Sequence, residues 1–93
     1  MMASVFVGDV GTEIVLDCGI SIVTATAMQI AVKKPDGRRV LWLANIDGVQ
    51  GLKHVTQAGD LDIPGVYKLQ AQVVMPGWSG SGEVATMNVI SPL

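Results

Sequence analysis

The residues of this chain that could do chemistry are few and scattered. His54 and Cys18 are its only imidazole and its only thiol. A transition-metal site needs several nitrogen and sulfur ligands at short, regular spacings. His54 has no such neighbour in sequence, so "LKHVT" (Leu52 to Thr56) reads as a strand carrying one polar residue, and no metal is expected. Asp60 and Asp62, with Asp9 or Glu13, offer oxygens to calcium but do not follow a calcium-loop pattern. Asp60 and Asp62 are more simply expected to cap or hydrogen-bond the turn "GDLDIPG". No Ser, Thr or Cys stands in a nucleophile context such as G-x-S-x-G. "GWSGSG" (Gly77 to Gly82) has the glycines of a phosphate cradle without its lysine or a following helix, and reads as a flexible hairpin tip. In "KKPDGRR" (Lys33 to Arg39) four cations flank Pro35-Asp36-Gly37 and could grip phosphate; the simpler reading is a hairpin tip kept soluble by long charged side chains. No acid–base or nucleophile set converges, so the expectation is a non-enzymatic protein with no cofactor.

The elements that must carry these residues are short. Ninety-three residues make one domain, 1–93, at the small end of what buries a self-sufficient core. Hydrophobic residues are 49% and charged residues 15% of the chain, which excludes a disordered polymer and leaves little polar material to cover the outside. Apolar surface buried against partners is therefore expected. The net charge of -2 provides no field for nucleic acid or an anionic membrane. The start "MMASVFVGDVG" lacks a basic segment ahead of its apolar run, so no signal peptide is expected. One cysteine forms no intrachain disulfide.

Gly, Pro, Asp and Asn clusters at Gly8–Gly11, Pro35–Gly37, Asn45–Gly51, Ala58–Gly65 and Pro76–Gly82 separate runs rich in Val, Ile, Leu and Thr. That punctuation predicts an all-β domain of about seven antiparallel strands: Ala3–Val7, Thr12–Cys18, Ala25–Lys34, Arg38–Ile46, Leu52–Thr56, Gly65–Met75 and Glu83–Ile90. A two-sheet sandwich is the favoured architecture, with a closed barrel as the alternative. In the sixth run Tyr67, Leu69, Ala71 and Val73 alternate with Lys68, Gln70 and Gln72, which predicts a central strand with one buried face. "VLWLA" (Val40 to Ala44) is apolar on both faces. Either a loop covers its second face, or Leu41 and Leu43, or else Trp42, face a partner.

Tyr67, the only tyrosine, directly follows the Pro64-Gly65 turn. In immunoglobulin-like sandwiches a tyrosine at this place bonds back to the preceding turn, and antibody domains place a cysteine two residues later. Here Leu69 fills that position, so the expectation is a tyrosine corner of Tyr67, Asp60 and Asp62 in a disulfide-free immunoglobulin-like β-sandwich. "VGDVGTEIVL", "ATAMQIAVKKPDGRRV" and "VTQAGDLDIPGVYKLQAQV" are similar, in that order, to the immunoglobulin-like domain of tailed-phage virion proteins, including the N-terminal domain of siphophage baseplate upper proteins. The shared pattern is a GD-x-G-T opening strand, a [KR]-K-P-D-G hairpin and a T-x-x-G-D-L-x-x-[PA]-G-x-Y turn and strand. It spans Val7 to about Val74; "PGWSGSGEVATMNVI" matches only as a generic last hairpin.

The resemblance implies a structural component of a tailed phage or prophage virion, made in the host cytoplasm. It would attach to or decorate head, neck, tail or baseplate through protein interfaces. Its expected partners are other virion proteins and its own copies, not nucleic acid or membrane. Leu41, Trp42, Leu43 and Trp78 are the candidate interface residues. The alternative is a carbohydrate-binding module that presents Trp78, with Trp42, to host-surface glycans.

Overall fold

A computed structural model describes residues 5–92, the side chain of Glu83 excepted, and contains no helix among them. Eight strands form two sheets. They are β1 (Val5–Phe6), β2 (Glu13–Asp17), β3 (Ala27–Lys33), β4 (Arg39–Leu43), β5 (Asn45–Asp47), β6 (Gly51–Val55), β7 (Gly65–Met75) and β8 (Trp78–Ile90). One sheet has the order β1-β8-β7-β3-β4 and the other β2-β6-β5. The expected first strand began at Ala3; residues 1–4 lie outside those described.

Two features correct the expectation of about seven antiparallel strands. β1 runs parallel to β8, pairing Val5 with Val89 and Phe6 with Ile90. The run Arg38–Ile46 is not one strand, because the chain leaves the larger sheet at Ala44 and enters the smaller one as β5. The run passes through this corner without Gly or Pro, which is why the sequence reads as a single strand. Leu43 marks the exit: its carbonyl accepts a 2.7 Å bond from His54 Nδ1 on β6, in the other sheet.

The core lies between the sheets. β7 supplies Tyr67, Leu69, Ala71 and Val73, all buried, as its alternation predicts. β3 adds Ile30 and Val32, β4 Trp42, β8 Met87 and Val89, and the smaller sheet Ile14 and Leu52. Burying a side chain such as Leu69 is worth about 2 kcal/mol. Ile22 and Leu61, also fully buried, come from loops and plug the two ends. Their loops are tied by Ile22 N–H to Val49 O at 2.8 Å and Gly8 N–H to Leu61 O at 2.8 Å. Trp42 stacks on His54 with centroids 4.6 Å apart, joining β4 to β6 across the interior.

The hairpin of β7 and β8 turns at Pro76-Gly77, since Met75 pairs with Trp78. Trp78 to Gly82 are therefore strand, which corrects the reading of "GWSGSG" as a flexible tip. Between Gln70 and Gln72 the register shifts, so that residues 82–83 of β8 oppose the single Ala71. The bulge inverts the side-chain parity of β8. Ser79 and Ser81 point outward before it, and Val84, Thr86, Asn88 and Ile90 after it, leaving Met87 and Val89 in the core.

Candidate interaction face

The predicted site residues separate into four places. Tyr67 is fully buried. Its hydroxyl donates to Ile63 O at 2.7 Å and accepts from Ile63 N–H at 3.3 Å, closing the turn four residues upstream. Leu41 and Leu43 lie on the outer face of the five-stranded sheet, 61% and 85% exposed. No loop covers them among the described residues. Trp42, by contrast, is 4% exposed and belongs to the core, so it presents no ring to a partner or a sugar. Trp78 sits at the end of the β7–β8 hairpin, opposite Met75 and thus on the side of the sheet away from Leu41 and Leu43. Its ring covers Gly80, where a Cβ would fall 2.6 Å from Cζ2, and it remains 46% exposed. The structure therefore brings Leu41 and Leu43 together but leaves Trp42 and Trp78 apart from them.

Asp60 and Asp62 act through different partners. Asp60 Oδ2 accepts from Gln57 N–H at 2.8 Å and lies 2.8 Å from His54 Nε2, capping the turn and holding the buried imidazole. Asp62 reaches out of the turn to the β3–β4 hairpin. It accepts from Lys34 Nζ at 2.8 Å and Arg38 Nη2 at 2.8 Å. The Lys34 ammonium, and then the Arg38 guanidinium, hold the Asp62 carboxyl down from its ordinary 3.8 to about 2. Lys34 also donates to Gly59 O at 3.3 Å and is 6% exposed. This corrects the reading of "KKPDGRR" as wholly solvated, because one of its lysines is a buried strut between two turns. Pro35 of the same hairpin packs against Gly65, whose φ is +128° and where a Cβ would come 2.8 Å from the proline ring.

The remaining chemical candidates are dispersed. Asp9 Oδ2 accepts from Phe6 N–H, and Glu13 lies 3.8 Å from Lys53, so neither joins Asp60 and Asp62. No three His, Cys, Asp or Glu side chains among the described residues converge as a metal site. Burial, reinforced by Asp17, pushes the half-buried Cys18 thiol up, away from thiolate chemistry.

What the fold does assemble is the outer face of the five-stranded sheet, in cross-strand rows. Lys68, Lys33 and Arg39 stand side by side on β7, β3 and β4. The next row is Val84, Gln70, Ala31 and Leu41, and the one after it Ser81, Gln72, Gln29 and Leu43. Gln29 Nε2 donates to Gln72 Oε1 at 2.8 Å, fixing the third row. The first two rows line an open groove of about 680 Å³. Its two leucines are legible in the doubly apolar "VLWLA". The cationic row is not, because Lys68 joins Lys33 and Arg39 only through strand register. No protein-family model, curated protein or solved structure matches this chain.

Proposed function

We propose that this chain is a non-enzymatic structural module of a tailed phage or prophage virion, an immunoglobulin-like sandwich that attaches to its assembly through the outer face of the five-stranded sheet. Its location is the particle, and its partners are other virion proteins and further copies of itself. The observation that carries the reading is the uncovered face, where Leu41, Leu43 and Val84 are all more than half exposed. Leu41 and Leu43 are neighbours on the outer side of an edge strand, and Val84 lies across the same face beyond Ala31 and Gln70. Apolar side chains grouped on an uncovered face mark protein contacts more than scattered ones do.

Two further observations support the immunoglobulin-like assignment. The grouping of β2, β6 and β5 in one sheet and β3, β7 and β8 in the other supports it, since such sandwiches divide their strands in this way. The two most distinctive motifs also meet in space, through Lys34 and Arg38 with Asp62 and through Pro35 against Gly65. A hairpin and a turn that build one joint have a physical reason to occur together.

Sedimentation with purified particles of the source phage tests the proposal. The wild-type chain is expected in the pellet, and Leu41→Lys with Leu43→Lys in the supernatant with unchanged near-UV circular dichroism. Wild-type chain left in the supernatant overturns the reading. The glycan-binding alternative retains one exposed ring, Trp78, because Trp42 is in the core. A glycan-array signal lost in Trp78→Ala would favour it instead.

A further inference from the structure

Lys68, Lys33 and Arg39 form a row of like charges in direct cross-strand register, an arrangement that costs stability unless an anion offsets it. All three are exposed, and none has an acidic partner among the described residues. The row spans two strand spacings, about 10 Å.

The outer face of the smaller sheet carries a matching row. Asp17, Gly51 and Asp47 are aligned across β2, β6 and β5. Gly51 contributes no side chain, and a Cβ there would lie 2.6 Å from Asp47 O. Two exposed carboxylates are therefore left about 10 Å apart, with nothing standing between them. Asp17 accepts one bond, from Gly19 N–H at 2.8 Å, and keeps its second oxygen free among the described residues. Beside this row stands Val15, 52% exposed, next to Lys53 and Asn45. Beside the cationic row stand Val84 and Leu41. The two outer faces thus have the same order, a charged row and then a row with an apolar edge, with opposite charge.

We propose that these faces bind each other between copies, the Asp17 and Asp47 row of one chain seated on the Lys68, Lys33 and Arg39 row of the next. The inference rests on the reading of the chain as an assembling module and names its surfaces. Because two different faces meet, the contact is head-to-tail and propagates as a ring or filament rather than closing as a twofold dimer. The compact row of three cations, flanked by amides and aliphatic side chains on a chain of net charge -2, suits a protein surface better than a nucleic acid, which needs a broad basic field. Interfaces of this modest extent are weak and strongly salt-dependent.

Charge reversal provides the test, read by sedimentation velocity on the full chain. The wild type is expected to self-associate with rising concentration and to lose about tenfold in affinity from about 50 to about 300 mM NaCl. The pair Lys33→Glu with Arg39→Glu makes both faces acidic, and the pair Asp17→Lys with Asp47→Lys makes both basic. Each double variant alone is expected to be monomeric, and an equimolar mixture to associate again, since the faces are then complementary between variants. Near-UV circular dichroism of each variant verifies the fold. A wild type monomeric at all concentrations and salts overturns the proposal, as does association retained by both variants or absent from their mixture. A monomer that captures polyglutamate overturns it too, since the row then serves a foreign acidic partner. A monomer that still pellets with particles sinks this inference and leaves the proposed function standing. A self-associating chain that does not pellet does the reverse.

Discussion

At the scale of single residues, the fold depends on polar groups that have been taken out of water and matched. Tyr67 is the clearest, with its ring in the core and its hydroxyl spanning the N–H and C=O of Ile63. Tyr67→Phe keeps the ring and removes both bonds, and should cost about 1–2 kcal/mol in urea unfolding. An unchanged midpoint would show that the corner does not stabilise the turn. Asp62 makes a pH-dependent contribution. Its carboxyl titrates at about 2 in the folded chain against an ordinary 3.8, so it stabilises the fold fully above the ordinary value. That contribution is lost as pH falls from about 4 through the folded value near 2. Asp62→Asn should be less stable than wild type at neutral pH and should lose less stability than wild type across that acid window, as followed by unfolding at a series of pH values. Parallel acid curves for the two proteins would contradict the assignment.

At the scale of elements, the strands follow from alternation and the corners from contacts that alternation cannot encode. The eleven residues of β7 stand where their period-two pattern puts them, because one face must be buried and a one-residue slip would expose Tyr67 and Leu69 together. The turn before it was legible through Pro64, Gly65 and the tyrosine that follows. Three features were not. The passage from β4 to β5 at Ala44 has no breaking residue and is fixed by His54 reaching Leu43 O and stacking on Trp42. The bulge opposite Ala71 depends on pairing between distant strands. The core roles of Ile22 and Leu61 depend on loops folding inward. Gly51 gives a local test of the smaller sheet, since it pairs with Asp47 and a methyl group there would meet the Asp47 carbonyl. Gly51→Ala should destabilise by about 1–3 kcal/mol, read from its thermal or urea transition. A neutral effect would mean that the β5–β6 hairpin adjusts freely.

At the scale of the whole molecule, the two outer faces differ in charge. One bears three aligned cations beside exposed Leu41, Leu43 and Val84; the other bears Asp17 and Asp47 beside Val15. The sequence disclosed the leucines, because "VLWLA" is apolar on both faces. It hid the charge rows, whose members come from strands far apart in the chain. It also left Trp42 as an interface candidate, when its ring is needed to close the core over His54. If the outer face of the five-stranded sheet is the attachment surface, hydrogen–deuterium exchange of free against particle-bound chain will locate it there. Slowed exchange is expected at β4, the exposed edge of that sheet, with β2 and β5 protected as well where copies stack head-to-tail. Exchange at β4 unchanged on binding, or protection confined to the Trp78 end of the β7–β8 hairpin, would contradict it.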